Sequence, residues 1–110
     1  MCQTTYSNSC PQNCTCYHHV VRCSHAELTR IPYEEMPMNT EELYLDSNNI
    51  EEIPFGLANH LIYLRRIDLS YNKITTFDGM KGLTKLIFLV ATNNFLKKSL
   101  DEILILRLEK

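Results

Sequence analysis

The sequence predicts an α/β solenoid, a stack of coils that each add one short strand to a parallel sheet. A frame of apolar residues closed by one asparagine recurs along the chain, and Asn48, Asn72 and Asn94 are separated by 24 and 22 positions. No cysteine follows Cys23, so the coils beyond that residue are built on apolar residues alone. Repeats of this length are typical of solenoids, which bury alternate strand residues and display the others on an open concave face.

The clearest copy of the frame is Leu64-x-x-Ile67-x-Leu69-x-x-Asn72-x-Ile74. Its period lies within the range of about 20–29 residues that is typical of leucine-rich repeats. Because the chain turns away from the strand at the asparagine, we expect its amide to bond with loop backbone groups that would otherwise be unpaired. The asparagines are therefore predicted to be structural, with ligand contact as the alternative. Apolar residues after each asparagine are predicted to close the far side of each coil: Ile50 with Ile53 and Pro54, Ile74 with Phe77, and Leu96 with Leu100.

A weaker copy precedes these coils and supplies the first strand. The stretch from Val21 to Ile31 fits the frame, with Cys23 at a leucine position and Ala26 at the asparagine position. Terminal repeats are expected to be atypical, because one of their faces has no neighbour. We therefore divide the chain into four segments: a flexible amino-terminal segment at 1–9, a cysteine-rich cap with the first strand at 10–32, leucine-rich repeats at 33–98, and a final segment at 99–110.

Four cysteines form a tight cluster before and within this first strand: Cys10, Cys14, Cys16 and Cys23. Four cysteines allow three pairings. The cluster resembles the amino-terminal flanking cap of secreted and cell-surface leucine-rich-repeat proteins, and this resemblance implies disulfides joining Cys10 to Cys16 and Cys14 to Cys23. Such cysteine usage indicates an oxidising compartment, so we expect the protein to be secreted or to lie on the extracellular face of the plasma membrane.

The amino-terminal region carries further features besides the cap. Histidines beside the cysteines suggest zinc, but the spacing lacks the paired ligand motifs of zinc sites. Asn13 heads the sequon Asn-Cys-Thr, which predicts N-glycosylation.

Cys2 is left as an odd thiol, which we expect to pair with a missing segment or to remain free. Met1 to Ser9 is polar and does not resemble a signal peptide, so we expect a mature or truncated form of a longer protein.

Composition excludes several functions. The chain has 110 residues and a formal charge of −2, which gives no reason to expect a nucleic-acid partner. It contains no apolar run of about 18 residues that could span a membrane. We find no nucleophile motif, phosphate-binding glycine loop or metal-spaced acid cluster, so the sequence predicts neither an enzyme nor a cofactor.

The final segment, 99–110, has two interpretations. Ser99 and Glu102 form a capping box before apolar residues at helical spacing, which favours a short amphipathic helix that closes the last coil. The alternative is a truncated repeat, although its strand would follow Leu89 by only 14 positions.

Residues that alternate with the buried strand positions are the candidates for binding a partner. They combine charge with exposed aromatic groups, as interface hot spots do. An alternative is that the arginines and aspartates pair with each other across neighbouring strands. The predicted binding residues are Arg22, Glu42, Tyr44, Asp46, Arg66, Asp68, Tyr71 and Phe88.

Residues 10–96 resemble several extracellular families. The stretches Glu42 to Ile50 and Ile67 to Ile74 resemble the repeat domains of the Slit family of secreted axon-guidance ligands. Leu83 to Leu89 is similar to small leucine-rich proteoglycans, and Toll-like receptor ectodomains share the cap. The Slit resemblance implies an immunoglobulin-type receptor on the concave face, and the proteoglycan resemblance implies collagen or a growth factor. We therefore expect an extracellular protein-binding module, with a structural matrix element or the end piece of a longer array as the alternative.

Overall fold

The structure, a computed structural model, describes residues 10–95, which form a solenoid around a five-stranded sheet. Strands β2 to β5 pair in parallel in chain order, and the first strand, β1, pairs antiparallel to β2. The strands are β1 Thr15–Tyr17, β2 Val20–Arg22, β3 Glu42–Tyr44, β4 Arg66–Asp68 and β5 Phe88–Val90. The predicted solenoid with a short parallel sheet is thus confirmed.

The middle residue of each parallel strand points into the coil. Val21, Leu43, Ile67 and Leu89 are register partners, and Leu43 and Ile67 are 0% exposed. Leu89 is only partly buried, and β5 is the last strand among residues 10–95. The strands are three residues long, so each one contributes a single inward side chain between two that face outward.

The far side of the coils is closed by short helical turns rather than by strands. A five-residue helix, α1, covers Gly56–His60, and 3-10 turns lie at Tyr33–Glu35 and Asp78–Met80. The predicted apolar residues of this side are buried, namely Ile50, Ile53, Ile74 and Phe77. The sequence had not predicted these helical turns.

The asparagine column forms as predicted, and Asn72 shows its geometry. Its Oδ1 accepts a hydrogen bond from the backbone N–H of Ile50 at 3.0 Å. Its Nδ2 donates to the carbonyls of Leu45 at 2.9 Å and Leu69 at 3.0 Å. Asn48 and Asn94 repeat this pattern one coil before and one coil after, so the structural interpretation of the three asparagines is confirmed.

Two disulfides lock the cap and join Cys10 to Cys16 and Cys14 to Cys23, as the resemblance implied. Cys23 is 0% exposed and packs in the core at a leucine position of the frame. The cap also adds β1, which forms a hairpin with β2 and extends the sheet by an antiparallel strand that the sequence had not predicted.

Several predictions fall outside the described residues. They are the flexible segment 1–9 with Cys2, the apolar pair Leu96 and Leu100, and the helix or truncated repeat at 99–110. Across residues 10–95, no helix has the length and apolar character that crossing a membrane requires.

Candidate protein-binding face

The outward strand residues and the loop residues that follow them share one side of the sheet, which we call the concave face. Strands β2 to β5 stack in register, so outward residues align in columns: Val20, Glu42, Arg66 and Phe88 in the first, and Arg22, Tyr44, Asp68 and Val90 in the second. Asp46 and Tyr71 lie just beyond the strand ends. The register therefore brings six of the eight predicted binding residues to the same side of the sheet, and the other two follow at the strand ends.

Two arginines on this face stack on aromatic rings of the next strand. The Cζ of Arg22 lies 4.7 Å from the ring centroid of Tyr44, and that of Arg66 lies 5.2 Å from the ring centroid of Phe88. Each arginine and its ring are register partners on adjacent strands. Cation–π contacts of this kind hold the planar guanidinium against the ring. The face thus carries two rigid Arg–aromatic pairs.

The acidic residues of the face accept hydrogen bonds from neutral neighbours. Tyr44 donates its hydroxyl proton to Glu42 at 2.7 Å, and Ser24 donates to Asp46 at 2.6 Å. Because the bond to Glu42 favours the protonated phenol, the pKa of Tyr44 is raised above its ordinary value of 10.0. Asp68 accepts from both the backbone N–H and the hydroxyl of Ser70, at 3.0 and 2.7 Å.

The expected ion pairs between arginines and aspartates of adjacent strands are not the arrangement observed. Among residues 10–95, neither Arg22 nor Arg66 has a carboxylate oxygen within 4.0 Å. Glu42 is the register partner of Arg66, yet the arginine turns toward Phe88 and stacks on it. Ser70, two residues after Asp68, is only 7% exposed, and its hydroxyl turns back to donate to Asp68.

The residue before each asparagine, and the residue before Ala26 at the same position of the first coil, adopt a left-handed backbone conformation. The φ angles of His25, Ser47, Tyr71 and Asn93 lie between 55° and 61°, although the four side chains differ. The shared angle belongs to the turn that returns the asparagine amide to carbonyls two and three residues earlier. Tyr71 is 60% exposed there, so the turn presents its ring to solvent. None of the four residues is a glycine, so this turn was not predictable from glycine positions.

A charged margin adjoins the first column, and sequence analysis did not include it among the binding residues. Glu41 lies 3.8 Å from Nδ1 of His19 and 3.9 Å from a guanidinium nitrogen of Arg65. The same His19 nitrogen is 3.0 Å from the carbonyl of Asn39. The side chains of all three residues are about half exposed, so these contacts are screened by solvent.

The cap presents the predicted glycosylation residue, Asn13, on its surface. Asn13 is exposed with φ 67°, in a turn closed by a 3.1 Å bond from the N–H of Cys14 to the carbonyl of Pro11.

The four cap cysteines are held in disulfides and so offer no thiolate to zinc. In the described part of the chain, no group of three or more potential ligands is placed to hold a metal ion. A cavity of about 370 Å³ lies between the hairpin and residues 37–40.

Comparisons with known proteins agree with this architecture. The family described as "Leucine rich repeat" matches residues 39–96, and "Leucine rich repeat N-terminal domain" matches residues 9–35. Leucine-rich repeat-containing protein 3 of Bos taurus is 42% identical over 88 residues, which cover 72% of this chain and 34% of the relative. Its Homo sapiens counterpart is also 42% identical, over 67% of this chain and 32% of the relative. The matched part of the chain thus spans about a third of these relatives.

A solved structure shows the same fold. The crystal structure of human 5T4 (Wnt-activated inhibitory factor 1, trophoblast glycoprotein) superposes with a TM-score of 0.56. The match covers 92% of this chain and 49% of 5T4, at 20% sequence identity. Sequence identity at this level indicates a shared solenoid fold. It gives no evidence that the concave faces of the two proteins share individual residues.

Proposed function

The chain belongs to the leucine-rich-repeat family, and we propose that it is an extracellular protein-binding module that holds a receptor or matrix protein on its concave face. The observation that carries the proposal is the two Arg–aromatic pairs beside the exposed ring of Tyr71. Exposed aromatic and arginine side chains on a rigid support lose little conformational freedom on binding and are typical anchors of protein interfaces. The sheet provides that support, because its inward residues on β2, β3 and β4 are buried in the core.

The proposed compartment is extracellular. Two disulfides within 14 residues fit an oxidising environment. The cap also matches the leucine rich repeat N-terminal domain family. We further propose that Asn13 carries an N-linked glycan, since it is exposed in a turn of the cap. The module is proposed to act by binding alone, in signalling or guidance, without a cofactor.

Partner capture by the concave face tests the proposal. The disulfide-bonded protein would be presented to a panel of purified extracellular domains that includes immunoglobulin-type receptors, collagens and growth factors. Binding to an immunoglobulin-type receptor would support a Slit-like role, and binding to collagen or a growth factor would support a matrix role. We expect the double change Tyr44→Ala with Asp68→Ala to abolish capture.

A matched pair of phenylalanines controls for general loss of apolar surface. Phe88 on the concave face and Phe55 beside α1 are 51% and 72% exposed. We expect Phe88→Ala to weaken capture and Phe55→Ala to leave it unchanged. Unfolding in urea would check that each variant keeps its fold. Capture that survives both the double change and Phe88→Ala would refute the concave-face assignment.

The alternative is a structural element that binds little by itself. It is supported by the partial exposure of Leu89, whose register partner Ile67 is 0% exposed, because further coils stacked on β5 would bury it. Solenoids need about three repeats for stability, so this alternative predicts a marginally stable monomer. Cooperative melting of the monomer above roughly 60 °C, high in the mesophile range, would count against it.

A further inference from the structure

We propose that the concave face recognises two carboxylates of an acidic segment on its protein partner, one at Arg22 and one at Arg66. This inference rests on the proposed function and names the chemistry of the partner. It follows from a difference between the two kinds of charge on the face. The carboxylates have hydrogen-bond donors within the chain, whereas the guanidinium groups have only aromatic rings.

The first step concerns the arginines. Among residues 10–95, neither guanidinium donates a hydrogen bond or lies within 4.0 Å of a carboxylate. The Nε of Arg66 is buried with no hydrogen-bond partner. An unpaired buried N–H is unfavourable, and the planar guanidinium fork matches a carboxylate with two parallel hydrogen bonds. The aromatic contact holds each guanidinium over a ring of the next strand and provides no hydrogen-bond acceptor in the guanidinium plane.

The second step concerns the acidic residues. Glu42, Asp46 and Asp68 each accept a hydrogen bond of 2.6–2.7 Å from a hydroxyl of this chain. Their demand for donors is therefore partly met before any partner arrives. The three negative charges also disfavour a dense polyanion such as a sulfated polysaccharide, which would approach them along its whole length. Isolated carboxylates placed over the two forks avoid that repulsion.

The third step is the spacing of the forks. Arg22 and Arg66 lie two strands apart and, through the register, two residues apart along the strand direction. Strand spacing of about 4.8 Å and a rise of about 3.3 Å per residue place their Cα atoms about 12 Å apart. Both side chains lean the same way, toward the next strand. In an extended peptide, side chains four residues apart share a face and are separated by about 13 Å, so two acidic residues at that spacing match the forks.

A synthetic peptide tests the inference directly. The probe is the blocked heptapeptide Thr-Glu-Thr-Val-Thr-Glu-Thr, and the control peptide carries glutamine in place of both glutamates. Titration up to about 10 mM, followed by the NMR signals of the arginine Nε–H groups, should shift those of Arg22 and Arg66 with the acidic peptide only. The Nε–H of Arg30, whose terminal nitrogen already pairs with Glu34, serves as an internal reference. An absence of shifts at both arginines would overturn the inference.

Variants separate the fork from its charge. We expect Arg66→Gln and Arg22→Gln each to weaken binding of the acidic peptide about tenfold or more, as the loss of a charge-assisted hydrogen bond implies. Arg66→Lys keeps the charge but loses the fork, so most of the loss should remain. Arg30→Gln changes the net charge equally and should have no effect. Equal losses in Arg30→Gln and Arg66→Gln, or displacement of the peptide by a heparin hexasaccharide at the same arginines, would contradict recognition of carboxylates.

The two proposals fail in different ways. Suppose that an extracellular domain is captured and lost on Phe88→Ala, yet Arg22→Gln and Arg66→Gln leave its affinity unchanged. The concave face would then remain the binding site, and the carboxylate inference would be wrong. If instead the arginine variants weaken capture of that domain and of the peptide alike, both proposals are supported.

Discussion

Replacing Asn72 with alanine should lower the free energy of unfolding by more than the loss of one hydrogen bond, because this side chain bonds several backbone groups. Asn72 is 5% exposed and bonds backbone groups of two successive coils. The change leaves the N–H of Ile50, a 0% exposed residue, without its 3.0 Å acceptor. The carbonyls of Leu45 and Leu69 lose one donor each, but they keep a second, from Asn48 and Asn94 respectively.

The magnitude follows from this accounting of hydrogen bonds. An orphaned buried N–H costs about 1–3 kcal/mol, and each bond lost from a carbonyl that keeps another donor about 0.5–1.5 kcal/mol. For Asn72→Ala we therefore expect the free energy of unfolding to fall by about 3 kcal/mol. Asn94 is only partly buried, so water can replace some of its bonds and Asn94→Ala should cost about 1 kcal/mol.

Urea unfolding of the disulfide-bonded protein, followed by circular dichroism, measures both changes. A loss of 3 kcal/mol corresponds to a fall in Tm of roughly 12–24 °C for a domain of this size. Asn49→Ala is the matched control, because Asn49 is exposed and only its backbone N–H bonds, to the carbonyl of Leu28. The reasoning is refuted if Asn72→Ala stays within about 0.5 kcal/mol of the parent protein, the usual range of surface changes, or is less harmful than Asn94→Ala.

Three further predictions concern the far side and the cap. Gly79→Ala should lower the free energy of unfolding in urea by about 1–3 kcal/mol, because a Cβ there would overlap a backbone carbonyl of the preceding coil. Removing the disulfide between Cys14 and Cys23 by a double alanine change should cost about 3 kcal/mol from loop entropy, and a loss under about 1 kcal/mol would show that the cap needs no such link. Glu34 accepts two hydrogen bonds from Arg30, which lower its pKa below 4.5. The small stabilisation from this pair is therefore present above the pKa of Glu34 in the unfolded protein, and it is lost as the pH falls through the pKa of Glu34 in the folded protein. In an NMR titration, Arg30→Gln should raise the pKa of Glu34.

The buried and asparagine positions of each coil were predictable because every repeat carries the same residue types at the same positions. Leu43, Ile67 and Asn72 occur at fixed offsets, and three copies of an offset outweigh the ambiguity of any one residue. The cap pairing was also correct, but it came from resemblance, since the spacing alone allowed three connectivities. β1 was missed because Thr15–Tyr17 is only three residues long and pairs with a neighbour in a hairpin, which leaves no period to detect.

The side-chain arrangement on the concave face could not be predicted from spacing. The columns placed Arg66 between Glu42 and Phe88, and charge alone favoured the carboxylate. In the structure, Arg66 contacts the ring of Phe88, while Glu42 accepts a hydrogen bond from the hydroxyl of Tyr44. At an exposed site an ion pair and a cation–π contact differ by less than about 1 kcal/mol, so local geometry decides between them. The helix Gly56–His60 was missed for a related reason, because five residues carry no helical period.

The asparagine column also gives the stack a direction. In each case the amide oxygen of one coil accepts from a backbone N–H of the coil before it: Asn48 from Ala26, Asn72 from Ile50 and Asn94 from Ile74. When a coil opens, the backbone N–H that its asparagine holds in the coil before it therefore loses its acceptor. Local opening is thus expected to travel from β5 toward the disulfide-locked cap, and amide hydrogen exchange should be graded accordingly, fastest at Ile74 and slowest at Ala26.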